Sequence, residues 1–426
     1  MASTPKPKRP QARKPRRPGA AAPPPPVPVA GGPPWAVVND RGAERVRGGH
    51  LWIYASDILG FEPAPPPPEA TAPVRVRDRR GRELGLADWS PQSQIRLRLL
   101  SRGAGDTADG AWLRQRLEAA LAYRRRVVRE SDAYRLVSAE ADGLPGLIVD
   151  RYGAALSLQA LTWGMAARQD AIVALLERLL TPQVIVERND VKVREREGLP
   201  LRSGMLRGES ARAEVAIHGL RFALDLLEGQ KTGAFLDQRE NWLAAAQWAR
   251  AFQVESALDV FCYQGGFALH LARACKRVEA VDSSRPALEA ADANAARNGL
   301  ENIDWVEANA FDLLKHYDQG GNQFDMVVLD PPAFAKSRSA LEAAIGGYKE
   351  INLRALKMLK PGGLLISCSC SHHLAESELL GLMAAAAADA RRPLTILERR
   401  GQALDHPVLL AVPESAYLKC VVAVAR

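Results

Sequence analysis

The stretch "SALDVFCYQGGFALHLARAC" (residues 256–275) reads as an apolar strand, a glycine-bearing turn "CYQGG" and an apolar helix. A strand in "RVEAVDSS" and a helix in "PALEAADANAARNGL" follow, then "IDWVEAN", "AFDLLKHY" and "FDMVVLD". A loop "PPAFAKS", a helix "EAAIGGYKEINLRALKML", a "KPGG" turn and a strand "LLISCSC" complete the series. Strands alternating with helices at this spacing predict a parallel sheet covered on both faces, an α/β Rossmann-like unit over residues 216–426. Ligands of such sheets bind beyond the carboxyl ends of the strands, where strand order reverses. The residues at those ends are therefore the first candidates.

The chain upstream has a different grain. Residues 1–34 are rich in Pro, Ala and Arg, carry seven basic and no acidic side chains, and predict a disordered tail. Residues 35–103 alternate in short β fashion, with a turn near Arg80-Gly81 and a flexible proline-rich loop "FEPAPPPPEATAP" (61–73). Residues 104–215 predict an α+β unit, with helices in "AWLRQRLEAALAYRRRVVRE" and "ARQDAIVALLERLL" and strands between and after them. The chain is net +8, and its positive excess lies in the tail and in residues 35–215, whereas residues 216–426 are net −3. A phosphate-binding surface thus belongs to the N-terminal half, with a solvated mixed surface as the alternative. Arg75, Arg77, Arg96 and Arg98 sit at every second position of two strands and are the candidate RNA contacts.

Several classes are disfavoured. No run of 18 apolar residues is present, so no membrane partner is expected. The basic N-terminus lacks the apolar stretch of a secretory signal. The cysteines (Cys262, Cys275, Cys368, Cys370, Cys420) are odd in number and form no CxxC pair, which indicates neither a disulfide framework nor a metal site. A reducing, cytoplasmic setting fits them.

Asp259, Gly265, Gly266 and Phe267 surround the first turn, where glycine lets a backbone approach a ligand. Two adjacent glycines are not GxGxxG, and a plain turn explains them equally. Asp282 ends the second strand and suits ribose hydroxyls, or else caps the next helix. Asn309 ends the third strand. These positions admit either NAD or S-adenosylmethionine. The "DPP" at 330–332, following a fully apolar strand, favours methyl transfer: Asp330 is exposed at the sheet edge and two prolines stiffen its loop.

From about residue 35 onward the chain resembles the bacterial large-subunit (23S) rRNA cytosine-C5 methyltransferases. The matching segments, in order, are "ERVRGGHLWIYASDI", "YRLVSAEADGLPGLIVDRYG", "GQKTGAFLDQREN", "LDVFCYQGGF", "FDMVVLDPPAFAKS", "KPGGLLISCSCSHH" and "DHPVLLAVPESAYLK". The resemblance implies a PUA-like RNA-binding domain (35–103), a central α+β domain (104–215) and a class I S-adenosylmethionine-dependent methyltransferase domain (216–426). It implies cofactor contacts from Gln230, Thr232, Phe235, Phe261, Tyr263, Gly265, Phe267, Asp282 and Asn309. Asn309 stands where relatives often carry an acid. It assigns the nucleophile to Cys370, with Asp330 gripping or protonating the pyrimidine. His406 and Lys419 are expected to be structural, and Cys368 a buried small hydrophobe one pleat below Cys370. Large-subunit rRNA, free or in an assembling particle, is the implied partner, and a homodimer is left open. Two rivals stand beside this reading: a nucleobase-amine methyltransferase, disfavoured because Ala333 separates the prolines from Phe334, and a PUA-type RNA-binding factor with an idle methyltransferase domain.

Overall fold

Alternating apolar residues and short turns build the N-terminal sheet. The computed structural model describes residues 33–65, 73–103, 105–334 and 341–426, so most of the expected tail and the centre of the proline-rich loop lie outside the described residues. The first sheet contains β1 (Trp35–Val38), β2 (Trp52–Tyr54), β3 (Ile58–Glu62), β4 (Val74–Asp78), β5 (Glu83–Trp89) and β6 (Ile95–Ser101), with α1 (Asp40–Arg47) between β1 and β2. Its order is β2-β6-β5-β4-β1-β3. The expected turn joins β4 to β5: Asp78 Oδ1 accepts the amides of Arg80 (2.9 Å) and Arg82 (3.0 Å), and Gly81 takes φ +78°. A side-chain acceptor satisfying turn amides is the usual reason aspartate opens such turns.

The central unit contains α2 (Gly110–Val127), β7 (Ala133–Ser138), β8 (Leu147–Tyr152), β9 (Ala155–Ala160), α3 (Trp163–Ala167), α4 (Gln169–Leu180), β10 (Val184–Asn189), α5 (Val193–Glu197) and β11 (Arg202–Arg207). The strands form one sheet in the order β11-β10-β9-β8-β7. Two antiparallel strands follow, β12 (Arg212–Ile217) and β13 (Leu220–Asp225). A boundary at 215/216 would cut β12, so the expected division there does not coincide with a structural seam. The reason is packing. Val215, Ile217, Phe222 and Leu224 share one buried cluster with Tyr152 and Val186 of the central sheet and with Trp242 and Phe267 of the C-terminal unit. Central and C-terminal units are thus sealed by a common core.

The C-terminal unit runs α6 (Arg239–Ala251), β14 (Ser256–Val260), α7 (Gly266–Ala272), β15 (Arg277–Asp282), α8 (Arg285–Arg297), β16 (Ile303–Glu307), α9 (Ala310–Gly320), β17 (Phe324–Leu329), α10 (Leu341–Met358), β18 (Leu359–Ser369), α11 (Glu376–Ala390), β19 (Leu394–Arg400) and β20 (Lys419–Ala425). The sheet order is β16-β15-β14-β17-β18-β20-β19. The first five are mutually parallel and β20 pairs antiparallel with both β18 and β19, so the expected parallel sheet carries an antiparallel edge. Strand order reverses between β14 and β17, which opens the crevice where a ligand belongs. Asp330 leaves β17 and Cys370 leaves the neighbouring β18 on that edge.

Candidate active site

The turn after β14 is bent far from ordinary backbone. Phe261 and Tyr263 take φ +69° and +49°, and Gly265 takes φ +79°. Left-handed conformations at two aromatic residues cost on the order of 1–3 kcal/mol each and persist only where the surroundings hold them. Here Phe261 and Cys262 donate their amides to Val281 O (2.9 and 3.0 Å). Tyr263 donates its amide to Asp282 Oδ2 (2.9 Å). The second Asp282 oxygen accepts from Ser284 N (2.9 Å), and Ser284 is the residue that caps α8. Asp282 is therefore no helix cap. It shapes the turn and keeps free lone pairs toward the crevice. The Tyr263 hydroxyl accepts from the Gln230 amide (2.8 Å), and its ring meets Phe235 edge-on, with centroids 5.2 Å apart. Gly266 is demanded by packing, because a Cβ there would lie 2.3 Å from the Trp242 ring.

These elements enclose a cavity of about 250 Å³. Gln230, Phe235, Phe261, Tyr263, Gly266, Phe267, Asp282, Asp330 and Cys370 all line it. Thr232, Asp259, Gly265 and Asn309 do not. The Thr232 hydroxyl is buried against Asp150 and Tyr152 of the central sheet, so it anchors the 229–235 loop rather than meeting a ligand. Asn309 spends its side-chain oxygen capping α9, accepting from Phe311 N (2.9 Å) and Asp312 N (3.4 Å). Gly265 packs on Leu269 and Trp305. Asp259 is wholly buried and neither oxygen has a partner among the described residues. Burial, with repulsion from Asp330, holds its carboxyl well above the usual carboxylate range.

S-adenosylmethionine offers ammonium, ribose hydroxyl and adenine amino donors and two apolar faces. The cavity answers with Asp282, a Gln264 Oε1 that has no partner among the described residues, and the rings of Phe235, Phe261 and Phe267. Unsatisfied acceptors among aromatic walls fit such a ligand.

Cys370 and Asp330 stand together in the wall of the cavity. The Cys370 thiol is pushed up to about 11, first by burial and then by the nearby Asp330 charge. Asp330 is pushed up to about 7 by desolvation and by repulsion from Asp237. Gln238 Nε2 donates to Asp330 Oδ1 (2.8 Å) and opposes that rise. The Gln238 amide is itself oriented: its oxygen accepts from Asn241 Nδ2 (2.6 Å), and Asn241 Oδ1 accepts from Arg400 Nε (2.8 Å). Asp237 carries its charge by pairing with Lys231 (2.5 Å) and accepting from the Tyr417 hydroxyl (2.8 Å). The thiol is held from two sides. The buried Tyr348 hydroxyl bonds Ser369 Oγ (2.9 Å) and Ser371 Oγ (3.0 Å), the residues flanking Cys370. Lys419 Nζ donates to Ser371 O (2.6 Å) and Tyr417 O (2.9 Å). Cys368 lies fully buried opposite Cys420 in the β18–β20 ladder. His372 and His373 are exposed, and His372 packs on Tyr417 with centroids 5.3 Å apart. His406 is buried against Asp405 (3.2 Å). Among the described residues no cluster of His, Cys, Asp or Glu has metal-binding geometry.

The four candidate RNA arginines separate. Arg75 and Arg77 are half-buried, pair with Glu83 and Glu62, and lie over the Trp35 ring at 5.9 and 5.5 Å. Arg96 is half-buried and reaches Ser90 O (3.5 Å). Arg98 is buried in a two-point pair with buried Glu197 (2.7 and 3.3 Å). It fastens the N-terminal sheet to α5 and is withdrawn from any phosphate, a correction the strand alternation alone did not foretell. Gln238 and Asp237 were inside a quoted motif without a role. Tyr348, in the middle of a helix, gave no sequence signal.

Comparison with known proteins accounts for this arrangement. Residues 36–102 match the model of a PUA-like domain, and residues 198–421 match that of an S-adenosylmethionine-dependent methyltransferase. Ribosomal RNA large subunit methyltransferase I of Shewanella denitrificans is 40% identical over 382 residues, 88% of this chain and 95% of its own. The protein of the same name from Photobacterium profundum is 40% identical over 388 residues, 89% and 96% of the two chains. Among solved structures, a methyltransferase complexed with SAH superposes with a TM-score of 0.78 at 20% identity, covering 92% of this chain and 99% of its own. A class I methyltransferase fold behind a PUA-like domain, with S-adenosylmethionine as cofactor, is therefore the architecture here. No helix among the described residues is long and apolar enough to cross a membrane. The chain belongs to the S-adenosylmethionine-dependent methyltransferases, in the family whose members carry the name ribosomal RNA large subunit methyltransferase I.

Proposed function

We propose that this protein methylates carbon 5 of a cytosine in large-subunit rRNA, in the cytoplasm, through a covalent bond from Cys370 to carbon 6 of the base. The observation that carries the reading is that Cys370 and Asp330, leaving adjacent strands, line the same cavity as the cofactor wall. Carbon 5 of cytosine is too weak a nucleophile to be alkylated unaided. The Cys370 thiol passes its proton to the Asp330 carboxylate; as the sulfur bonds to carbon 6, the electron pair of the 5,6 double bond moves into a carbon 4–carbon 5 double bond, and Asp330 delivers that proton to ring nitrogen 3. S-adenosylmethionine, when bound, supplies the electrophilic methyl that carbon 5 takes. Loss of the carbon-5 hydrogen as a proton to solvent then lets the carbon–sulfur bond break, and Asp330 recovers the nitrogen-3 proton and returns it to the thiolate. Gln238 orients Asp330 for both transfers; Tyr348 and Lys419 keep the sulfur at its post.

The amine-methylating alternative needs an aromatic ring free to stack on the base directly after the prolines. Phe334 is instead packed on Tyr348 (4.8 Å), Phe311 (5.7 Å) and Phe261 (6.3 Å). The rRNA names of the relatives support the substrate class. Nucleoside mass spectrometry of 23S rRNA from a strain lacking the gene tests the reading. One 5-methylcytidine should vanish, return with the wild-type gene and stay absent with Cys370→Ala, although the variant protein still binds S-adenosylmethionine. Loss of an N-methylated base instead, or of none, would overturn it.

A further inference from the structure

Between β19 and β20 the chain makes a long loop, residues 401–418. It exposes three large apolar side chains: Leu404 (56%), Val408 (49%) and Leu410 (93%). Isolated exposed apolar side chains are ordinary, but three within one loop make that loop a candidate contact surface. The loop does not offer Leu410 by being loose. Ser415 Oγ accepts from Leu409 N (2.9 Å) and donates to Val412 O (2.6 Å), and Val412 N closes onto Leu409 O (2.8 Å). Gln402 Nε2 donates to Ser415 O (2.7 Å) and ties the two arms together.

Both feet of the loop stand on the catalytic machinery. Asp405 is buried in a pair with Arg239 of α6 (3.0 Å) and accepts the Arg135 amide (2.8 Å). Tyr417 donates to Asp237, and Leu418 lines the reactive cavity. The far side of the loop rests on the PUA-like domain. A Cβ at Gly49 would come within 2.9 Å of Ala411 Cβ, and Glu414 faces His50 at 3.7 Å. At that contact Arg102 donates to Gly49 O, and Arg47, Arg82, Arg102 and Glu83 line a shallow depression in which Arg47 and Arg82 pair with Asp78. A braced apolar finger thus stands between the PUA-like domain and a cavity that must receive a single base.

A cytosine within stacked or paired RNA cannot bring carbon 6 to Cys370 without leaving its stack. We infer that the 401–418 loop is a wedge that enters structured RNA substrate, with Leu410 filling the place vacated by the extruded cytosine. The inference rests on the RNA-methylating reading above. Apolar side chains inserted between base steps do this work in other nucleic-acid complexes.

The test compares two RNAs carrying the mapped target: a folded 23S fragment in which the nucleotide is stacked or paired, and a short unstructured strand of the same local sequence. With the full-length protein, Leu410→Ser should lower kcat/KM on the folded RNA by about 10- to 100-fold and on the short strand far less, and Leu410→Met should recover most of the loss. A 2-aminopurine next to the target should brighten on binding of the wild type but not of Leu410→Ser. Equal effects on both RNAs, or no effect on either, would overturn the wedge. So would a change in sedimentation of the RNA-free variant, which would give the patch to a second copy of the chain. Failure of the wild type to methylate either RNA would instead count against the rRNA reading, and is visible without any variant.

Discussion

Gln238→Leu should move the pH profile of the enzyme in a calculable way. In the free protein between about pH 7 and pH 11, Asp330 is a carboxylate and Cys370 a thiol. The reactive arrangement has the same proton on the other partner. Part of the Cys370 rise comes from the Asp330 charge, which is gone once Asp330 holds the proton, so the gap is at most about four pKa units: the reactive arrangement is at least roughly one part in 10⁴ of the population, at a cost of up to about 5.5 kcal/mol. Because both arrangements hold one proton, kcat/KM should rise as the pair loses its first proton near pH 7 and then stay level. The Gln238 hydrogen bond favours the Asp330 carboxylate. A hydrogen bond to a charged group is worth about 1.5–3 kcal/mol, so its loss should raise Asp330 by about 1–2 units. The rising limb should then shift to about pH 8–9. At pH 7 the wild type should run at about half of its plateau, and the variant at about 1–10% of its own. The assay is methyl incorporation into a mapped RNA fragment from pH 6 to pH 10, at substrate concentrations that report kcat/KM. A limb that stays near pH 7 in the variant, or moves lower, would refute the assignment of Asp330 as the titrating partner.

The buried Arg98–Glu197 pair predicts that Arg98→Glu costs about 3–5 kcal/mol, by placing two carboxylates in one buried site, and lowers the thermal midpoint markedly. Arg96→Glu should leave stability within about 0.5 kcal/mol and reduce the salt slope of RNA binding by about one; a normal slope would move the phosphate contacts elsewhere. Buried His218 and His270 face each other at 3.3 Å, and burial pushes them down to about 4 and about 3. Their unfolded forms therefore take protons first, so stability is complete above about pH 6.5 and is lost as pH falls toward those values. His270 alone should forfeit about 2 kcal/mol by pH 5, and His270→Gln should flatten the pH 5 against pH 7 difference in denaturant unfolding. Tyr348→Phe frees both serines beside the thiol, and should lower kcat by about 10-fold while S-adenosylmethionine affinity, read by calorimetry, stays within about 2-fold.

The C-terminal sheet was legible because short strand runs alternate with longer helical patterns across short turns along 256–370, although β15 and β16 also carry charged residues. Asp282, Asp330 and Cys370 were legible because they end such strands. What escaped the sequence lies in contacts between distant segments. The β12–β13 hairpin is half of a core shared with the central sheet, and one-dimensional patterning does not show which apolar faces meet. Thr232 and Asn309 sit where ligand contacts are expected, yet their side chains satisfy neighbouring protein groups first. Arg98 alternates like a surface arginine, but its partner Glu197 is 99 residues away in sequence. Gln238 earns its role only through Asn241 and Arg400, which no local signal connects.

The most direct measurement replaces cytidine with 5-fluorocytidine in the RNA and adds S-adenosylmethionine. Fluorine cannot depart from carbon 5 as a proton does, so the sulfur–carbon bond cannot break and a protein–RNA adduct should accumulate. Peptide mapping is expected to find that adduct on Cys370 and to find none with Cys370→Ala. Methylated RNA without a cross-link, or a cross-link at Cys368 or Cys262, would contradict the account.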